Sequence, residues 1–208
     1  MKFTKLASIL LVLFVTGSIS SYAVITGSSH DFTGDSWNTT SEICIVCHTP
    51  HNASTTVTNA PLWNHQLSAV ASYTVYSNAA SLNATVGQPN ASSKLCLSCH
   101  DGTIALENFS GKTNGTNMIS GAYNLGSNLS NDHPISFTYD AALVASDGGL
   151  NAITAASGIG SGTISSSMLF AGKMECASCH DVHNKANIAH LLVKANTGSA
   201  LCITCHAK

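Results

Sequence analysis

An apolar run from Leu6 to Val15 stands at the start of the 208-residue sequence, between Lys2 and Lys5 on one side and small residues ending at Ala23 on the other. This is the layout of a secretory signal over residues 1–23 with cleavage after Ala23, and its apolar core is too short to cross a bilayer. The mature form, residues 24–208, is expected to be secreted and to hold no membrane span. Past that point apolar positions are scattered among Ser, Thr, Asn, Gly and Ala. Stretches such as SGKTNGTNMISGAYNLGSNLSN and LNAITAASGIGSGTISSS read as irregular loop with short strands at most. Regular structure is expected to be sparse: a helical turn at each cysteine motif, a short helix near Asp140 to Ser146, and minimal sheet. Long loops of this kind normally argue against a compact domain, so something besides secondary structure has to organise them.

The cysteines supply that something. CIVCH at Cys44, Cys47 and His48 recurs as CLSCH at Cys96, Cys99 and His100, as CASCH at Cys176, Cys179 and His180, and as CITCH at Cys202, Cys205 and His206. These four copies consume all eight cysteines, leaving none for a disulfide, a lipid anchor or a free nucleophile. A thioredoxin-like dithiol needs one such pair and no trailing histidine. A zinc ribbon needs pairs in twos, but nothing in zinc ligation calls for a histidine behind every second cysteine. Covalent c-type haem uses all three residues: two thiols add to the porphyrin vinyl groups, and the adjacent imidazole becomes the proximal iron ligand. The reading is four covalently bound haems c, with His48, His100, His180 and His206 proximal.

The first and third motifs continue to C-x-x-C-H-x-x-H-N, through His51 and His183, whereas the second and fourth follow a leucine and lack the trailing histidine. The pattern is therefore A, B, A, B. One tetrahaem domain over 24–208 is expected, with haem pair 1-2 at 44–100, a loop-rich segment at 101–175, and haem pair 3-4 at 176–206. Ten histidines less four proximal ones leave His30, His51, His65, His133, His183 and His190 for four vacant axial positions. That supply favours bis-histidine iron, which tends to low potential because imidazole lacks the potential-raising effect of Met. His51 and His183, three residues past a proximal histidine, are directed toward a neighbouring haem. His133 is preset by Pro134, His65 follows Trp63, and His30 lies near the mature N-terminus. His190 reads as a surface or packing residue, and Met118, Met168 and Met174 as packing.

Composition fits this picture. Aromatic residues make up 6% and charged residues 9%, too little for side-chain burial alone to offset ordering entropy. The apolar faces of four stacked haems are expected to build the core of a mostly irregular multihaem cytochrome fold. Arginine is absent, so propionates must use backbone N–H groups, hydroxyls, the few lysines, cations or water. The formal charge of −2 becomes about −4 once the two signal lysines are gone, which argues against a nucleic-acid partner.

The ordered set SSHDF, CHTPHN, PLWNH, LCLSCHDGT, NDHPISFTYD, CASCHDVHN and LCITCH resembles the tetrahaem cytochromes that polymerise into extracellular electron-conducting filaments. The resemblance runs through nearly the whole mature chain and is weakest over 101–175. It implies bis-His haems in a continuous stack, little secondary structure, and a homo-polymer in which one distal histidine, here His30 or His51, passes to the adjacent subunit. Such a heterologous contact does not close on itself and generates an open filament. The expected function is electron transfer without catalysis, carrying respiratory electrons from partner cytochromes toward an external acceptor such as a metal oxide. A monomeric periplasmic shuttle with the same haems is the alternative. A multihaem reductase of nitrite or hydroxylamine type is disfavoured by the missing arginine and the surplus of histidines.

Overall fold

The computed structural model describes residues 24–78 and 80–207, so the secretory signal expected at 1–23 lies outside the described residues. Among the described residues no helix is long and apolar enough to cross a membrane. Most of the chain is coil and turn. Among the described residues the longest element is α1, Ala91–His100, followed by α2, Ala141–Asp147, and the single turns α3, Ile164–Ser167, and α4, Cys202–Cys205. Four two-residue strands are β1, Thr74–Val75, β2, Asn128–Leu129, β3, Phe137–Thr138, and β4, Lys173–Met174. β1 pairs with β2 in parallel, Thr74 opposite Asn128, and β3 with β4 antiparallel, Phe137 opposite Met174. Mostly coil with short helices and minimal sheet is the architecture the sequence led us to expect.

Local signals explain where the helices stand. The expected helix near Asp140 forms over 141–147 because the Asp140 carboxylate accepts the Leu143 N–H at 2.9 Å, and Gly148, at φ +69°, ends it in the left-handed conformation. α1 starts after Asn90, whose side chain accepts the Ala91 N–H at 2.7 Å. It is longer than the single turn expected at its motif because Leu95 and Leu97 anchor it to two separate apolar patches. Leu95 packs with Val57 and Trp63, and Leu97 with Tyr73 and Leu129. Each buried leucine contributes about 1.5–3 kcal/mol.

The largest apolar cluster lies elsewhere. Phe137, Tyr139, Leu143, Ile164, Met168 and Met174 pack with Leu201 and Cys205. The segment between the two motif pairs, expected as loop, therefore carries most of the polypeptide core and closes over the fourth motif. Its apolar residues are spaced too irregularly for a periodic pattern, because they come from a strand, two short helices and a second strand in turn. Met168 and Met174, 1% and 4% exposed, are packing residues of this cluster, and Met118 is exposed.

Candidate haem attachment sites

All four motifs adopt one local geometry. The His N–H donates to the first cysteine's carbonyl at 2.8 Å for His48, 3.1 Å for His180 and 3.0 Å for His206, and the second motif, Cys96 to His100, lies inside α1. One helical turn puts residues i, i+3 and i+4 on one side, so each turn presents two thiols and an imidazole together. A second device repeats at three motifs, where the histidine sits in an isolated antiparallel bridge, to Trp63, Leu192 and Leu150 respectively. The preceding cysteine carbonyl accepts from the returning segment: Cys47 from Asn64 at 2.9 Å, Cys179 from Val193 at 3.0 Å, and Cys205 from Asn151 at 2.8 Å.

The returning segments also fix the imidazoles. His48 Nδ1 lies 2.5 Å from the Pro61 carbonyl, His180 Nδ1 2.9 Å from that of His190, and His100 Nδ1 2.9 Å from that of Tyr123. Donation from Nδ1–H to a carbonyl leaves the Nε2 lone pair for a metal and sets the ring plane. These three carbonyls are functional groups that sequence reasoning missed, and no signal could have revealed them, since every residue carries one. His190, read as a surface histidine, has an exposed side chain, and it contributes through its backbone.

Three of the remaining histidines stand opposite motif histidines. Ring centres are 6.2 Å apart for His183 and His48, 6.1 Å for His30 and His100, and 6.4 Å for His133 and His206. Two imidazoles on opposite sides of one metal, each nitrogen about 2 Å from it and each ring centre about 1.1 Å farther back, have centres roughly 6.3 Å apart. The ring spacing at three of the four motifs thus matches that of two imidazoles sharing one metal. His133 Nδ1 is fixed by the Pro134 carbonyl at 2.8 Å. Burial, helped by neighbouring His100 and His180, lowers the pKa of His30 to about 4 and keeps it in the neutral form that ligates a metal.

The other two predicted ligands are placed differently. His65 is buried, with Nδ1 2.8 Å from the Gln66 carbonyl and Nε2 3.1 Å from that of Ala105, and its ring lies beside the Cys99 sulfur at 3.6 Å. It stands next to the second attachment turn, not opposite a motif histidine. His51 is exposed, and its backbone is tied to the Thr49 hydroxyl.

All eight cysteines are unbridged. Among the described residues no three His, Cys, Asp or Glu side chains converge as a metal cluster. Burial pushes Cys47 and Cys205 up to about 11 and Cys99 up to about 12, opposite to the activated thiols of a redox dithiol. A hydrogen bond between Cys96 and Cys176 raises the former and lowers the latter. The thiols follow one another in space as in sequence: Cys47 neighbours Cys96 and Cys99, Cys96 touches Cys176, and Cys179 neighbours Cys202 and Cys205. The turn of the third motif borders a cavity of ≈ 250 Å³, with Cys176, Cys179 and His180 on one side and apolar Leu97, Leu129 and Ile135 among the walls.

Residues 169–208 match the doubled CXXCH motif family, a stretch that holds the third and fourth motifs. The match indicates a multihaem c-type cytochrome. No curated protein matches the sequence.

Proposed function

We propose that this protein is a secreted tetrahaem cytochrome that transfers electrons along a row of bis-histidine haems and polymerises into an extracellular conducting filament. The observation that carries the reading is the set of three histidine pairs at 6.1–6.4 Å, each joining a motif histidine to one from elsewhere in the chain. Bound haem would supply a one-electron couple. The chain's own work is to hold imidazole on both sides of the iron, exclude other ligands and keep successive attachment turns adjacent. Filling both axial positions removes the open site that a reductase needs, so the role is electron transfer without catalysis.

Polymerisation rests on the histidine that is left. His30, His133 and His183 each face a motif histidine within the chain, whereas no non-motif ring stands in that way opposite His180 among the described residues. His65 is buried with both ring nitrogens against carbonyls, and of the two other exposed imidazoles His190 already orients the His180 ring through its carbonyl, which leaves His51. Donation of His51 to a neighbouring copy would satisfy the fourth position, and such a one-way contact repeats without closing. The signal pattern at 1–23 supports export, and an external oxide or partner cytochrome is the class of acceptor that fits.

The test combines haem counting by mass with electron paramagnetic resonance and negative-stain microscopy of the culture supernatant. Four haems, low-spin bis-imidazole signals throughout and filaments are expected. Small particles with full low-spin signals would replace the filament with a monomeric shuttle, and a high-spin ferric signal at about a quarter of the iron would turn the reading toward a reductase.

A further inference from the structure

Glu175 is 1% exposed, in a chain with no arginine. One carboxylate oxygen, Oε2, accepts from the Ser93 hydroxyl and from that of Ser136 at 2.8 Å, while Oε1 is buried without a hydrogen-bond partner. Ser93 belongs to α1, three residues before Cys96, and its oxygen also accepts the Cys176 N–H at 3.0 Å. The carboxylate is thus held where the second and third attachment turns meet. It also lines the ≈ 250 Å³ cavity with Cys176, Cys179 and His180. No lysine lines that cavity, and its other acidic residue is Asp132.

A buried carboxylate costs several kcal/mol unless a positive charge or full hydrogen bonding compensates it. Two hydroxyls on one oxygen are incomplete compensation, and Oε1, buried next to the third motif, has no hydrogen-bond partner. Ferric haem carries one more positive charge than ferrous haem, so a fixed negative charge on that wall favours the oxidised state. Resting on the tetrahaem reading above, we infer that Glu175 is the residue that depresses the potential of the haem attached at Cys176 and Cys179. It acts through its charge, as a tuning residue that touches neither the iron nor its axial ligands. A unit charge within roughly 12 Å, at an effective dielectric of about 20, shifts such an equilibrium tenfold.

The test is spectroelectrochemical titration of the filament or monomer carrying Glu175→Gln, which keeps the shape and removes the charge. At a fixed potential the ferrous-to-ferric ratio of one haem should rise about tenfold, a positive shift of about 59 mV for a one-electron couple, with the other haems nearly unmoved. Ser136→Ala keeps the charge and removes one donor that disperses it. In alkaline buffer it should move the same haem the opposite way, which a merely structural role would not do. Should Glu175→Gln fail to fold, the Ser136→Ala shift decides. Unchanged potentials in correctly loaded variants would overturn the assignment of Glu175 alone, whereas a wild type lacking four haems would instead defeat the functional reading beneath it.

Discussion

The imidazoles of His48 and His183 face each other with ring centres 6.2 Å apart and planes 11° from parallel. One belongs to the first motif and the other follows the third, so the two halves of the sequence pattern exchange this pair. Replacing His183 with Ala should leave the first haem attached but five-coordinate. About one quarter of the iron would turn high-spin, readable by electron paramagnetic resonance, while His190→Ala leaves the spectrum unchanged.

His51 makes the opposite case. With its side chain exposed and the intrachain pairs already made, His51→Ala should abolish filaments while full haem loading persists. Size-exclusion chromatography with light scattering would then report single chains. Filaments of normal length from this variant would remove His51 as the linking ligand.

Chain expressed without haem attachment should keep one region of order. The cluster of Phe137, Tyr139, Leu143, Ile164, Met168 and Met174 is built from polypeptide alone, whereas the patches beside the first and second motifs hold three buried residues each. Limited proteolysis read by mass spectrometry should therefore cut the N-terminal half first and spare residues 137–174 longest.

Tyr139, 2% exposed, donates to the Asn151 carbonyl at 2.7 Å and to that of Cys205 at 3.2 Å. Tyr139→Phe leaves a buried carbonyl short of a donor, at a cost of about 1–3 kcal/mol. For a chain of this size that lowers Tm by about 2–12 °C, measurable by calorimetry, with the haem spectra unaltered.

Glu107 gives a pH signature. Burial would push its carboxyl up, but donors from the backbone of Thr116 and Asn117, at 2.7 Å and 3.2 Å, and from the Asn117 side chain hold it below the ordinary range. A carboxylate depressed in the folded state contributes stability above its unfolded pKa of about 4.3 and loses it as pH falls through the folded value. The difference in Tm between wild type and Glu107→Gln should accordingly be full at neutral pH and disappear in acid.

What the sequence determined by itself is the local chemistry. Four C-x-x-C-H repeats specify thiols and imidazole on single helical turns, because i, i+3 and i+4 share a side whatever surrounds them. The short helix expected near Asp140 likewise forms, as α2, on a local hydrogen bond to its cap. The tertiary structure alone decided which distant ring faces which motif, since His30, His133 and His183 reach their counterparts across the chain. It also left His51 outside, set the backbone carbonyls that orient the proximal rings, and buried Glu175 between two attachment turns. None of these has a residue-type signature: a carbonyl is common to all positions, and a glutamate's burial depends on the long-range packing of α1 against the third motif.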